Sequence, residues 1–235
     1  MSSAFDPTSE ANTVGPAGAA EPRADPVAWI RDQVARRLDA ARGSHAWDHT
    51  LRVLRLCERI GTVEGADPTV VRIAAYLHDI GRSVQDATNG KVCHAVKGAE
   101  LAGPLLADLA LPPACRDNIL HCIRTHRFRG RQRPASLEAR VLFDADKLDA
   151  IGAVGVARAF LFAGEVGARL HCPEKAVADT RPYGPEDTGY REYKLKLTRI
   201  RERMQTREGR RLAEERHRFM VFFFERFLDE YDGRC

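Results

Sequence analysis

The sequence has no apolar run approaching the roughly 20 residues that a membrane-spanning helix needs. A membrane location therefore has no support. Its six cysteines (Cys57, Cys93, Cys115, Cys122, Cys172 and Cys235) include no Cys-x-x-Cys pair, which argues against a zinc ribbon or a dithiol redox centre. The N-terminus lacks the basic-then-apolar order of an export signal, so the cytoplasm is the expected location. Strand-like alternation and internal repeats are missing as well. Net charge is only +4, which speaks against nucleic acid as a partner while remaining compatible with a small phosphate-bearing one. What is present, 44% hydrophobic and 30% charged residues over 235 positions, suits one helical domain with a large core.

Residues 1–24 are rich in Ala, Gly, Pro, Ser and Thr and hold one aromatic, too little apolar surface to offset the entropy of ordering. A disordered tail is expected there, followed by a single all-α domain over 25–235. Asp25-Pro26 supplies an N-cap and a proline at the first helical position, and Val27, Ile30, Val34 and Leu38 recur at helical spacing until Gly43. A second helix is expected over about 46–60, with Leu51, Leu54, Cys57 and Ile60 on one stripe and Gly61 past its end. Asp67-Pro68 repeats the start signal, and Val70, Ile73, Ala74 and Leu77 lead into His78-Asp79 before Gly81. That places the His-Asp pair in a helix's last turn, where both side chains can reach an ion off the helix end. Further helices are expected at about 94–109, 113–126 and 136–165, the last interrupted by Gly152 and Gly155. Prolines and glycines from Pro173 to Gly189 predict a long loop or lid over about 168–190. A final helical stretch, kinked or divided near Gly209, spans about 191–230. Phe219, Phe222, Phe223 and Phe227 on it are expected to pack on the core or on the second copy of a homodimer.

Three segments concentrate imidazoles and carboxylates: His45-Ala46-Trp47-Asp48-His49, Leu77-His78-Asp79-Ile80-Gly81 and Asp144-Ala145-Asp146-Lys147-Leu148-Asp149. A helical fold can gather them around a divalent cation, and a mixed imidazole and carboxylate set suits Mn, Fe, Co, Ni or Mg-like ions. Such a cation serves phosphoester hydrolysis, which needs charge neutralised on oxygen and a water of lowered pKa. Arg124, Arg127, Arg129, Arg131 and Arg133 follow one another with no acid between Asp117 and Glu138. They read either as a guanidinium rim for phosphate, with Arg127 the best individual candidate, or as a solvated basic loop. Eight arginines between Arg199 and Arg218 are interleaved with four glutamates, which predicts an ion-paired helix surface.

With these segments, Arg52-Val53, Ala74-Ala75-Tyr76 before the His-Asp pair, Ala150-Ile151-Gly152 after the last acids and the late Ala213-Glu214-Glu215-Arg216-His217-Arg218-Phe219-Met220, the chain resembles the HD-domain superfamily of metal-dependent phosphohydrolases. Within it, the likeness is to a bacterial branch of small HD hydrolases, and it runs from about Ser44 to Arg158 and more weakly beyond. The resemblance implies a helical bundle with its core over about 44–165 and C-terminal helices over about 191–230. It implies a divalent metal, manganese before Mg, Co, Ni or Fe, and a nucleotide or similar small phosphorylated substrate, with pyrophosphate release among the activities. The family's ligand order of His, His-Asp, Asp falls on His49, His78, Asp79 and Asp146, the last because of its Ala145-Asp146-Lys147-Leu148 context. Asp79 would line up the attacking water. His126 would serve as a proton-handling residue, and His94, Lys97, Arg127 and Lys147 would face substrate. Lys147 reads, before that, as the partner of a neighbouring acid, and Asp149 as an acceptor for a ligand histidine.

His94 and His126 also resemble the longer His, His-Asp, His, His, Asp order of two-metal HD phosphodiesterases. They would then complete a second metal site bridged by Asp79, with His121 competing for the place of His126; the other arrangement has them hold or protonate phosphate beside one metal. HD folds serve as nucleotide-sensing modules too, a non-catalytic alternative. The alarmone-degrading branch carries an acid pair three and four residues after the His-Asp aspartate; this sequence has Arg82 and Ser83 there, which argues against that chemistry.

Overall fold

The computed structural model describes residues 25–38, 47–127 and 132–235. The expected tail over 1–24, the stop at Gly43, His45, Arg129 and Arg131 lie outside the described residues. Among those described there are ten α-helices and no strand.

Local chemistry sets several of the starts. Asp25 Oδ1 accepts from the Val27 and Ala28 amides to open α1 (Pro26–Leu38). Asp67 does the same for α3 (Pro68–Leu77) through Thr69 and Val70, in the N-cap and N1-proline arrangement. Between them lies α2 (Trp47–Glu64). The short α4 (Arg82–Ala87) then leads to α5 (His94–Ala107), α6 (Pro113–Thr125) and α7 (Leu137–Leu148), the last capped by Ser136. Helices α2, α3, α6 and α7 form the centre, with α1 against α3 and α5 against α6. Ile60, Ile73, Leu77, Ile119, Ile123, Leu142 and Leu148 fill it and are fully buried. A second layer of α8 (Gly152–Glu165), α9 (Gly189–Leu195) and α10 (Arg207–Tyr231) joins the centre where α10 meets α7 and α2.

Four expected boundaries are corrected. Helix α2 runs through Gly61 to Glu64, because Gly61 is buried beneath Val71 and Val141, and the stop is Gly65 with φ +79°. The stretch expected over 136–165 is two helices. The chain turns at Asp149–Ile151, where Gly152 has φ +78° and a Cβ on Gly155 would lie 2.2 Å from the Ala150 carbonyl oxygen. The C-terminal division falls at 196–206, in two short 3₁₀ turns, while Gly209 sits inside the first turn of α10. His78 caps the end of α3, with Asp79 in the turn that follows, one step later than the pattern suggested.

Asp144 explains where α10 begins. It is fully buried and accepts from the Gln205 amide at 2.8 Å, the Thr206 amide at 2.7 Å and the Thr206 hydroxyl at 2.6 Å. Gly209 packs directly upon this carboxylate. The segment before α9 is built of turns held by Arg169 N to Pro185 O and by the Arg191 guanidinium, which bridges Thr180 and Asp187. Phe224 stacks on Tyr193 with ring centroids 4.2 Å apart, and Phe223 and Phe227 pack on Phe160. Phe219 and Phe222 remain exposed. No described helix is long and apolar enough to cross a membrane.

Substituting Asp144→Ala strands three donors, the two of Thr206 buried, and is expected to lower stability by about 1–3 kcal/mol in urea unfolding. Metal bound per chain should not change; a loss of metal in a folded Asp144→Ala protein would contradict the structural assignment.

Candidate metal centre

Five helix ends converge on one buried carboxylate. His49 lies in the first turn of α2, His78 caps α3, His94 begins α5, His126 caps α6, and Asp146 stands in the last turn of α7. Asp79 lies among them, 3% exposed. Its Oδ2 is 3.9 Å from Nε2 of both His49 and His78, and its Oδ1 is 3.4 Å from Nε2 of His94 and 3.6 Å from that of His126.

The outer nitrogens of the imidazoles are all engaged. Nδ1 of His49 meets Asp149 Oδ2 at 2.7 Å, that of His78 the Ala75 carbonyl at 2.7 Å, that of His94 Gln85 Oε1 at 2.8 Å, and that of His126 the Ile123 carbonyl at 2.7 Å. Ionised carboxylate, carbonyl and amide oxygens only accept, so each Nδ1 carries the hydrogen and each Nε2 presents a lone pair. Yet the Nε2 atoms of His49 and His78 are 3.3 Å apart, and those of His94 and His126 are 3.1 Å apart. Two lone pairs so close repel unless a cation lies between them. The donor set therefore fits a divalent ion in the group His49, His78 and Asp79, and also in the group Asp79, His94 and His126.

Protonation agrees with that fit. Burial lowers His78 to about 4 and His94 to about 3, which leaves both neutral and able to ligate at pH 7. Burial opposes ionisation of Asp146, but Lys147 and the surrounding imidazoles hold it well below the usual carboxylate range. Asp149 is likewise desolvated, and hydrogen bonds from His49 and Arg52, together with the Arg158 charge, keep it ionised. Arg52 Nε and Arg158 Nη1 each reach it at 2.7 Å.

Asp146 stands at the cluster's edge: Oδ1 is 3.5 Å from His49 Nε2, and Oδ2 is taken by Lys147 at 2.5 Å. Lys147 thus pairs with its neighbouring acid and also lies 5.5 Å over the Phe143 ring. Arg127 Nη1 is 3.1 Å from the sulfur of Cys93, adjacent to His94, so it occupies the rim. Lys97 pairs with Glu100 at 2.9 Å. His121 accepts from the Ala135 amide, which gives it a structural task and leaves the cluster to His126. Sequence reasoning missed Gln85, which no spacing marks. It also missed Arg82, whose position three residues beyond Asp79 was a usable signal.

Asp149→Asn leaves the carboxamide's NH₂ or oxygen facing His49 and weakens the tautomer control. Metal affinity is expected to fall roughly 10–100-fold in calorimetric titration, with helicity retained. Metal-free protein, prepared with a chelator, should also lose stability on acidification. His78 and His94 have folded values near 4 and 3 against an unfolded 6.5, so below about pH 6.5 the unfolded chain binds more protons and stability falls. A melting midpoint unchanged from pH 7.5 to 4.5 would refute this.

Comparisons with known proteins agree with the architecture. The HD domain family model matches residues 46–151. The chain is 35% identical to the uncharacterized protein YpgQ of Bacillus subtilis over 87% of this chain and 93% of that protein. A crystal structure of YpgQ in complex with ADP aligns with a TM-score of 0.66 at 33% identity, over 87% of this chain and 94% of the other. An HD-superfamily hydrolase from Bacillus thuringiensis aligns with a TM-score of 0.69 at 26% identity, covering 88% and 96%. Ribonuclease Y of Chloroflexus aurantiacus is 30% identical over 45% of this chain but only 18% of its own length. Helices, cluster and near-full-length likeness lead to one conclusion: the chain belongs to the HD-domain superfamily and has the fold of its hydrolases.

Proposed function

We propose that this protein is a metal-dependent phosphohydrolase acting on a nucleotide or a similar small phosphate ester or anhydride. The observation that carries the reading is the pair of imidazole groups facing the two oxygens of Asp79. A divalent cation held there lowers the pKa of a coordinated water and neutralises charge on phosphoryl oxygens. His49, His78 and Asp79 would hold it, with Asp146 at the edge. Asp79 orients the attacking water, and Asp149 keeps His49 in the ligating tautomer. Where it is not itself a ligand, His126 takes the proton released by the attacking water at Nε2 and passes it to the leaving oxygen, and Arg127 at the rim draws in phosphate.

Manganese is the ion in this reading, chosen for a donor set midway between pure imidazole and pure carboxylate. A nucleotide substrate is supported by the ADP bound to the related YpgQ. Triphosphate cleavage with release of pyrophosphate is the specific activity we favour. Extended nucleic acid suits the chain less well, because C-terminal arginines are committed to acids, as in Arg211 with Glu208 and Arg226 with Glu230. A cytoplasmic setting belongs to the same reading, consistent with six unpaired thiols. So does a homodimer through the exposed Phe219 and Phe222.

The second reading, a two-metal phosphodiesterase, is favoured by one observation: the 3.1 Å approach of the His94 and His126 nitrogens beside Asp79 Oδ1. In the first instance, a screen of nucleoside mono-, di- and triphosphates with Mn²⁺ should show turnover that an Asp79→Asn protein loses by at least about 100-fold while remaining helical. Full metal-stimulated turnover in that variant would overturn the hydrolase mechanism. Metal analysis of the wild type separates one ion per chain from two.

A further inference from the structure

The geometry points to Arg82 as a substrate-anchoring residue that grips the phosphate oxygens over the Asp79, His94 and His126 side of the cluster. This rests on the phosphohydrolase reading of the same site and adds the residue that holds its substrate.

Arg82 is fixed at its base. Its amide donates to the Asp79 carbonyl at 2.9 Å, and the preceding Gly81 is pressed on α5 so tightly that a Cβ there would lie 2.5 Å from the His94 carbonyl oxygen. The register between Arg82 and His94 is therefore set by backbone contact, without relying on side-chain packing. Its guanidinium, by contrast, is poorly used. Nη2 straddles both Asp79 oxygens at 3.5 Å, well beyond the 2.7–2.9 Å that a charge-assisted bond adopts, and Nε is buried without a hydrogen-bond partner. A guanidinium has five N–H groups, and desolvating one without satisfying them costs free energy. The side chain is nonetheless only 22% exposed.

Electrostatics says what would satisfy it. The two Asp79 oxygens that face Arg82 are the same two that face the four imidazoles, so a cation held by Asp79 competes with the guanidinium for them. Arg82 then lies beside a positive centre with its own charge uncompensated, and Arg127 adds a second guanidinium on the Cys93 side of His94. Only an anion with several oxygens relieves both. A phosphate or pyrophosphate group does so, since its geometry matches the guanidinium fork. Lys147 belongs to the other side of the cluster, paired with Asp146, so the substrate's charged tail is placed over His94 and His126.

The test compares wild type, Arg82→Met and Arg82→Lys in Mn²⁺, measuring bound metal, ADP binding by calorimetry and steady-state kinetics on the nucleotide found active. Arg82→Met should leave metal stoichiometry unchanged and weaken ADP binding and raise KM roughly 10–100-fold, as loss of a charged hydrogen-bond partner predicts. Arg82→Lys, which keeps charge but not the fork, should lie between. If Arg82→Met does not fold, the lysine variant decides alone. Loss of metal with ADP affinity unchanged would show that Arg82 only steadies Asp79, and unchanged binding and KM would also overturn the inference. The underlying reading fails separately: wild type that binds ADP through Arg82 but hydrolyses no nucleotide removes the hydrolase and keeps the anchor. Absence of both ADP binding and turnover in wild type overturns both.

Discussion

Four imidazole nitrogens present lone pairs toward one buried carboxylate, and that unfavourable arrangement is the constraint on which the structure turns. Lone pairs 3.1 and 3.3 Å apart repel, and the buried carboxylate they face has the Arg82 guanidinium no nearer than 3.5 Å. Each ring is held there from behind by an acceptor, so none can rotate away without losing a buried or half-buried hydrogen bond. The fold thus maintains strain that a cation relieves. This is how a site is made selective for charge before any ligand arrives.

The restraints come in two kinds. His78 and His126 both cap helices, and each folds its ring back onto the carbonyl three residues earlier, using an acceptor that every helix end offers. That device is cheap in sequence, needing only a histidine at the right place. His49 depends instead on Asp149, a hundred residues away, and Asp149 depends on Arg52 and Arg158 to remain charged in the interior. The turn between α7 and α8 brings these together, and the Arg216 guanidinium from α10 bonds the Leu148 carbonyl at the same corner. The C-terminal layer therefore supports the candidate ligands, although it contributes none of them.

Much of this is legible in the amino-acid sequence. Asp25-Pro26 and Asp67-Pro68 mark helix starts by chemistry that depends on two or three residues, so both were readable. Gly61 and Gly209 misled because a glycine's role depends on what presses against it: Val71 and Val141 in one case, Asp144 in the other. The order His49, His78-Asp79, Asp146 was visible as a pattern, but the pairing of Nε2 atoms was not, since it arises from five helices meeting end to end. Gln85 was invisible for the same reason. Its role exists only because α4 lies against α5.

The three acids of α7 show how far periodicity reaches. At about 100° per residue, Asp146 and Asp149 lie about 60° apart around the helix, whereas Asp144 lies on the other side, about 160° from Asp146 and 140° from Asp149. Sharing a face, Asp146 and Asp149 reach the same histidine from opposite ends, one at Nε2 and the other at Nδ1. Asp144 cannot join them, and it instead anchors α10 to the back of the helix that carries the site. One helix thereby turns two acids toward the cluster and the third toward a tertiary anchor by angle alone. Lys147 neutralises Asp146 without disturbing Asp149, because the oxygens of Asp149 are already claimed by His49, Arg52 and Arg158.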